Sequence, residues 1–482
     1  MKKILLALLI LVTMLVNMLA MTGCNLLPGN KNDDNGEEEG KVNITFYHTM
    51  GANLRAVLDE YIPEFEALFP NINVIHEQVG DYDAVRDTIA TELTEGAQPN
   101  IAYCYPDHVA LYNVAQAVVV LDDYIDFEGS YTFADGVTVS NIGLTQAQKD
   151  DFIQGYYEEG RAFGDNKMYT LPLSKSTEVL YYNKTAFDSW AAKYAETGDE
   201  KYNIKVPTTW DEMEDACIKI KALYPECTPL GYDSEANWFI TMCEQYGYDY
   251  TSATGENFIF DKPENHAFVK RFREWYVNGY VTTKDLNDGY TSQLFKEQKS
   301  YMSIGSSAGA TNQRPAKGDD GKYLFDVAIT SIPQVDAANN GKVISQGPSI
   351  CILENTNRDE VMASWLFMKF LTTNVGFQAD FSLASGYVPV IKSVANDPTY
   401  ASHVAKANGG DYIASLSAKV CLEQEAFYYT SPAFNGSSAA RDQVGIIMKK
   451  CFAIKPGQDV DAEIQKIFAD AVAECKYQTG KK

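Results

Sequence analysis

Positive charge is in short supply in this sequence, with 40 lysines and arginines against 65 aspartates and glutamates and a formal net charge of −25. Such a chain has no electrostatic footing on a nucleic acid or on an anionic membrane surface, so neither is expected as a charge-driven partner. Histidine is scarcer still. His48, His76, His108, His266 and His403 are the only ones, and none stands in an HExxH or other metal-binding spacing. The nine cysteines include no CxxC pair and no zinc-like spacing. No metal and no cofactor is therefore expected. There is no visible internal repeat, which sets aside solenoid and propeller architectures.

What is present suffices for packed cores. Hydrophobic residues make up 45% of the chain and aromatics 12%, which excludes disorder of the body. At 482 residues the chain exceeds one ordinary core, and two lobes are expected. Tyrosine, at 31 residues, is the most abundant aromatic; its ring and hydroxyl suit half-buried surfaces and polar-ligand clefts alike.

The N-terminus reads as an export signal. Lys2 and Lys3 precede an apolar run from Ile4 to Met21, and Met21-Thr22-Gly23-Cys24 closes it with small residues before a cysteine. The run is also just long enough to span a bilayer, but a small residue and a cysteine directly after it favour cleavage. It resembles a bacterial lipoprotein signal, which implies that Cys24 carries a lipid and begins the mature chain. Residues 25–40 are polar, acidic and glycine-bearing, a flexible tether. Of the remaining cysteines, Cys104 and Cys351 lie in apolar runs and read as buried thiols. Cys217 and Cys227 are the closest pair, and export would permit a disulfide, but spacing assigns none.

From Val42 the pattern alternates between strands and helices. Val42–His48, Asn71–Val79 and Ile101–Tyr105 are strand-like, and Leu54–Phe69 and Asp81–Leu93 recur at helical spacing, with Pro63 expected to kink the first helix. Asp107 is expected to cap the next helix. Strand–helix repetition with short loops predicts an open α/β sheet with parallel strands, and ligands in such sheets bind beyond the carboxyl ends of the strands. His48, Tyr82, Pro106 and Asp107 fall at that rim.

The stretch Tyr169–Phe187, YTLPLSKSTEVLYYNKTAF, holds a hydroxyl-rich knot between two apolar segments. It reads as a loop that presents Ser176, followed by a helix capped by Thr185. Farther on, Thr208 or Thr209 caps the helix starting near Trp210. Tyr301–Gly309 is a strand running into small residues, Phe325–Ile329 another strand, and Ile344–Ile352 a third with a bend at Gly347 and Pro348. Helices occupy most of the remainder.

Taken in order, ITFYH, FPNINVIHEQVGDYDAV, LPLSKSTEVLYYNK, VPTTWDEM, YMSIGSSAGA, QGPSICIL and SGYVPV resemble the bacterial extracellular solute-binding proteins, in the branch that captures sugars and glycerol phosphates for ABC importers. The resemblance spans roughly Val42 to Ile391. It implies a two-lobed, type II periplasmic-binding-protein-like α/β fold with hinge strands and a central ligand cleft. It further implies a non-enzymatic monomer that hands a small-molecule solute to permease subunits. Lobe 1 is expected to comprise residues 41–150 and 305–355, and lobe 2 residues 151–304 and 356–482.

The glycerol-3-phosphate and glycerophosphodiester binders are most similar. Their ligand contacts map onto Tyr82, Ser176, Ser306, Gly347 and Tyr387, and a late arginine onto Arg441. Hydroxyls, a glycine N–H and a planar guanidinium make a chemically apt phosphate set. The relatives' acidic contact falls on Pro106 here, so either a one-residue shift presents Asp107 or the ligand differs. Trp238 is a further cleft candidate, through stacking on a sugar face. A neutral oligosaccharide is the second ligand class. An enzyme reading also exists: Gly305-Ser306-Ser307-Ala308-Gly309 fits a GxSxG nucleophile elbow with Ser307 as nucleophile and His403 downstream. No HGGG partner accompanies it.

Overall fold

The computed structural model describes residues 36–336, 341–406 and 410–480. The signal stretch, Cys24 and most of the tether lie outside the described residues. Among the described residues no helix is long and apolar enough to cross a membrane.

Two five-stranded sheets organise the chain. In the first, strand β1 (Val42–His48) pairs in parallel with β2 (Ile72–Gln78) over its whole length and with β3 (Ile101–Cys104). Helix α1 (Ala52–Leu68) links β1 to β2, and α2 (Tyr82–Glu92), capped by Asp81, links β2 to β3. Pro63 is accommodated inside α1. The parallel strand–helix–strand build expected from the sequence is thus present. Alternation along β1 sends Ile44, Phe46 and His48 into the core.

Two late arrivals complete this sheet. Strand β4 (Leu171–Pro172) and strand β11 (Ser349–Ile352) join it, β11 lying antiparallel between β3 and β4. Helices α8 (Arg358–Thr373) and α9 (Val375–Ala384) cover one face, with Phe367 against Phe65 at a ring separation of 5.0 Å.

The second sheet is mixed. Strand β5 (Glu178–Asn183) runs antiparallel to both β8 (Met302–Ser306) and β9 (Val327–Ser331). Strand β8 is parallel to β6 (Leu230–Tyr232), which is parallel to β7 (Val281–Thr283). Around it pack α4 (Lys184–Thr197), α5 (Trp210–Leu223), α6 (Glu235–Tyr246), α7 (Pro263–Val277), α11 (Ser437–Phe452) and α12 (Val460–Gln478). Asn183, not Thr185, caps α4, accepting from Ala186 N at 2.9 Å. Thr209 caps α5 in a reciprocal box with Glu212.

The division of the chain differs from the expected one. Residues 152–173 and 361–400 contribute side chains to the first core, whereas Gly305, Ser306 and Val327–Ser331 belong to the second sheet. The reason lies in the crossings. The chain passes from the first sheet to the second between Pro172 and Glu178, and returns between β10 (Val343–Ile344) and β11. What reads as one bent strand, Ile344–Ile352, is therefore two. β10 pairs with β12 (Tyr428–Tyr429), and β11 lies in the first sheet. A last passage leads from the first core near Tyr400 to α11, with α10 (Ile413–Glu423) on the way. The eight described cysteines are free, buried thiols.

Candidate functional site

The outward and return crossings lie side by side. Ser176 N donates to Gln346 O at 2.7 Å and Gln346 N to Ser176 O at 2.9 Å. Lys175 exchanges a similar backbone pair with Val388 (3.0 and 2.6 Å). Gly347 makes this approach possible. Its φ is +103°, and a Cβ there would lie 2.6 Å from Ser174 O and 2.8 Å from Lys175 Cα.

A narrow cavity of about 50 Å³ opens beside these crossings. The first lobe contributes Tyr105, Pro106, Asp107 and Glu159 to its wall. The crossing contributes Ile344, Ser345 and Gln346. The second lobe contributes Tyr250, Ser437, Arg441 and the loop Thr430–Pro432. Tyr105–Asp107 follows the carboxyl end of β3, the rim where an open parallel sheet presents ligands. Pro106 opens the short helix α3 (Pro106–Tyr112), so Asp107 sits in its first turn and Tyr105, not Asp107, is the capping position. Ser437 begins α11, so the positive end of that helix faces the cavity.

Arg441 is the cationic feature of the wall. One guanidinium N–H donates to Asn237 Oδ1. Burial alone would lower its pKa, but Asp107, Tyr105, Tyr250 and Tyr429 outweigh that and hold it raised. Asp107 shows the complement. Burial would raise its carboxyl, yet His108, Arg441 and the Ser438 hydroxyl, which donates to Oδ2 at 2.8 Å, hold it below the usual carboxylate range. Glu159 is neutralised from behind by Lys175, a pair whose side chains are 5% and 1% exposed.

Of the eight residues singled out from sequence, Asp107 and Arg441 line the cavity. Ser176 is 2% exposed and backbone-paired to the lining residue Gln346; the Ser306 hydroxyl donates to Ser176 Oγ at 3.4 Å. Tyr82 stacks on the lining residue Tyr105 with centroids 4.4 Å apart, and its hydroxyl is 3.4 Å from that of Tyr387. Gly347 serves the crossing, and its neighbour Gln346 reaches the wall.

Trp238 is corrected. It is fully buried in the second core, against Tyr232 and Phe272 at ring separations of 4.7 and 4.3 Å. One helical residue turns the side chain by about 100°, so Asn237 faces Arg441 while Trp238 faces inward. His48 also leaves the rim for the core. Its Nδ1 accepts from Met50 N, its Nε2 meets His76 Nδ1 at 2.9 Å, and burial pushes its imidazole down to about 3. Ser307 does not stand exposed as an elbow serine does. It is fully buried, its Oγ accepts from Thr177 N at 3.2 Å, and Gly386 packs on its carbonyl.

Sequence reasoning missed Glu178, Asn237, Tyr250, Gln346 and the Thr430–Ser437 loop. The loop was visible only as a cluster of Ser, Pro, Asn and Gly. Gln346 and Asn237 stand one position from residues that were chosen.

Comparison with known proteins agrees with this fold. The family model described as bacterial extracellular solute-binding protein matches residues 60–408. The sn-glycerol-3-phosphate-binding periplasmic protein UgpB of Escherichia coli K12 is 24% identical over 375 residues, covering 74% of this chain and 76% of that protein. Among solved structures, UgpB of Mycobacterium tuberculosis in complex with glycerophosphocholine superposes with a TM-score of 0.71 at 17% identity, covering 92% of this chain and all of that one. The GacH receptor of Streptomyces glaucescens GLA.O, solved unliganded and with acarbose, gives 0.68 at 15% identity over 90% of this chain and 99% of its own. The two-lobed binding-protein fold is common to all.

Proposed function

The chain belongs to the bacterial extracellular solute-binding proteins, in the sugar and glycerol-phosphate class that serves ABC importers, and we propose that its ligand is a glycerophosphodiester. One observation carries the reading: Arg441 shares its cavity with the Asp107 carboxylate, among serine and threonine hydroxyls and two tyrosine rings. A phosphodiester carries a single negative charge, which one guanidinium balances. A phosphate monoester approaches a second charge near neutral pH and would meet Asp107 uncompensated. The carboxylates and the Tyr105 and Tyr250 rings suit hydroxyls or a cationic head group at the other end. Ligand bridging both lobes favours their closure, through its better contacts in the closed state. We further propose that a lipid on Cys24 holds the exported protein at the membrane, where a permease receives the closed form.

Calorimetry with glycerophosphocholine, sn-glycerol 3-phosphate and maltotriose tests the ligand. The diester is expected to bind tightest. Arg441→Ala should weaken it by about 2 kcal/mol or more, roughly thirtyfold, as loss of a charge-assisted hydrogen bond does. Maltotriose binding that is tight and indifferent to Arg441→Ala would transfer the assignment to a neutral sugar, the second class represented among the structural relatives.

A further inference from the structure

Two carboxylates stand in the cavity wall, and they are not equally committed. Asp107 already accepts the Ser438 hydroxyl at 2.8 Å. Glu159 comes from the short 3-10 helix Glu159–Arg161 of the first lobe. Its Oε2 meets the Lys175 ammonium, which also lies 3.5 Å from Ser349 Oγ. Its Oε1 faces another residue of the wall, Thr430, whose hydroxyl stands 3.5 Å away. A hydroxyl bonded to a carboxylate closes to about 2.5–2.7 Å, so this contact leaves the accepting capacity of Oε1 largely unused. The Glu159 side chain is only 5% exposed. Oε1 is therefore a buried acceptor on the wall of a cavity, in want of a donor. The cavity, at about 50 Å³, has room for one, since a water-sized group needs roughly 10–15 Å³.

The ion pair behind it is not required by the fold. A buried pair is commonly no more stabilising than apolar residues of the same volume. What it supplies here is a carboxylate whose charge is offset from behind by Lys175, so that an anionic ligand can share the cavity with it.

We propose that Glu159 is a ligand contact that selects for a free hydroxyl, its Oε1 accepting from the ligand while Lys175 holds the carboxylate through Oε2. The inference rests on the reading that this cavity holds the ligand, and it adds the contact for the hydroxylated end. In a glycerophosphodiester that hydroxyl belongs to the glycerol part. A carboxylate oxygen accepts and never donates. An ether or ester oxygen at the same place would set acceptor against acceptor, so a ligand alkylated or acylated there is rejected.

The test measures binding of glycerophosphocholine and of propyl phosphocholine, the same diester without the glycerol hydroxyls, by calorimetry. Removing Glu159 alone would leave Lys175 buried and unpaired. The variants are therefore Glu159→Met/Lys175→Met, which removes the acceptor, and Glu159→Gln/Lys175→Met, which keeps a neutral one. Melting temperatures near that of the wild type establish that both fold. The wild type should prefer glycerophosphocholine about tenfold or more, as a hydrogen bond to a charged group gives. Glu159→Met/Lys175→Met should lose that preference, binding glycerophosphocholine about tenfold or more weaker and propyl phosphocholine about as the wild type does. Glu159→Gln/Lys175→Met should fall between. Equal losses for the two ligands, full affinity for glycerophosphocholine in the methionine variant, or no preference in the wild type overturns the proposal; the last needs no variant at all. Maltotriose separates the contact from the ligand class. If the wild type binds maltotriose and no diester, the ligand assignment fails. A loss of about tenfold in Glu159→Met/Lys175→Met then upholds the Glu159 contact, and an unchanged affinity overturns it. Binding of neither ligand overturns both readings.

Discussion

At the scale of single residues, two buried acids near the cavity are treated differently. Glu159 has Lys175 against it, so its charge is matched inside the fold. Among the described residues Glu178 has only neutral donors in contact, with Arg441 one amide away. Its carboxyl, raised from 4.5 to about 7 chiefly by burial, is therefore held at a cost to stability. Between pH 4.5 and 7 the unfolded chain has released a proton that the folded chain keeps. Stability from this group accordingly falls as pH rises through that window, by up to roughly 3 kcal/mol. Glu178→Gln never ionises. The variant should match the wild type near pH 4.5 and exceed it progressively towards pH 8, by denaturant midpoint or melting temperature. A stability difference that is constant with pH would show that Glu178 titrates normally.

At the scale of elements, the two crossings are the mechanical centre, and Gly347 is their narrowest point. Gly347→Ala places a methyl 2.6 Å from Ser174 O in a backbone region that L side chains rarely adopt. A loss of about 2 to 4 kcal/mol is expected from strain and displacement together. The Ser176–Gln346 pairing should loosen with it, so ligand affinity falls as well. Hydrogen exchange at Ser176 N and Gln346 N checks this; protection equal to wild type would place the hinge elsewhere. The same elements show how far the sequence was legible. The parallel β1–β3 layer was readable because each strand and helix is set by local periodicity. The crossings were not: Tyr169–Phe187 looks like a loop between two strands of one lobe and is a passage between sheets, because residue patterns record burial without recording which core does the burying. Trp238 misled for a related reason, since an aromatic at helical spacing suits a core and a sugar cleft equally. Asn237 and Glu178 carried no signal at all. Their role arises from contacts across 59 and 204 positions of sequence, which no local pattern encodes.

At the scale of the whole molecule, the lobes touch across the mouth of the cavity. Ser438 on α11 donates to Asp107 on α3 at 2.8 Å. One turn further along α11, Asp442 pairs with Arg86 of α2 at 3.3 Å, where the side chains are 39% and 11% exposed. Arg86 also holds Asp83 and Asp87 of its own helix, so an acidic helix face is brought to another acidic residue by one arginine. In a chain of net charge −25, closure without Arg86 would set three carboxylates together. The Arg86–Asp442 contact exists only where α2 and α11 meet, so under the proposed closure its energy counts towards the closed state. It would then enter ligand affinity without touching ligand. Given its partial exposure, about 1 kcal/mol of coupling is expected. Arg86→Ala and Asp442→Ala should each weaken glycerophosphocholine binding about fivefold, and the double variant should be no weaker than the weaker single one. Raising the salt concentration should reduce the wild-type affinity towards that of the variants. Small-angle scattering supplies the structural half of the test. The single variants should need more ligand to reach the same compaction while reaching the same final radius. Strict additivity of the two losses, or compaction at unchanged ligand concentration, would mean that the lobes close without this clasp.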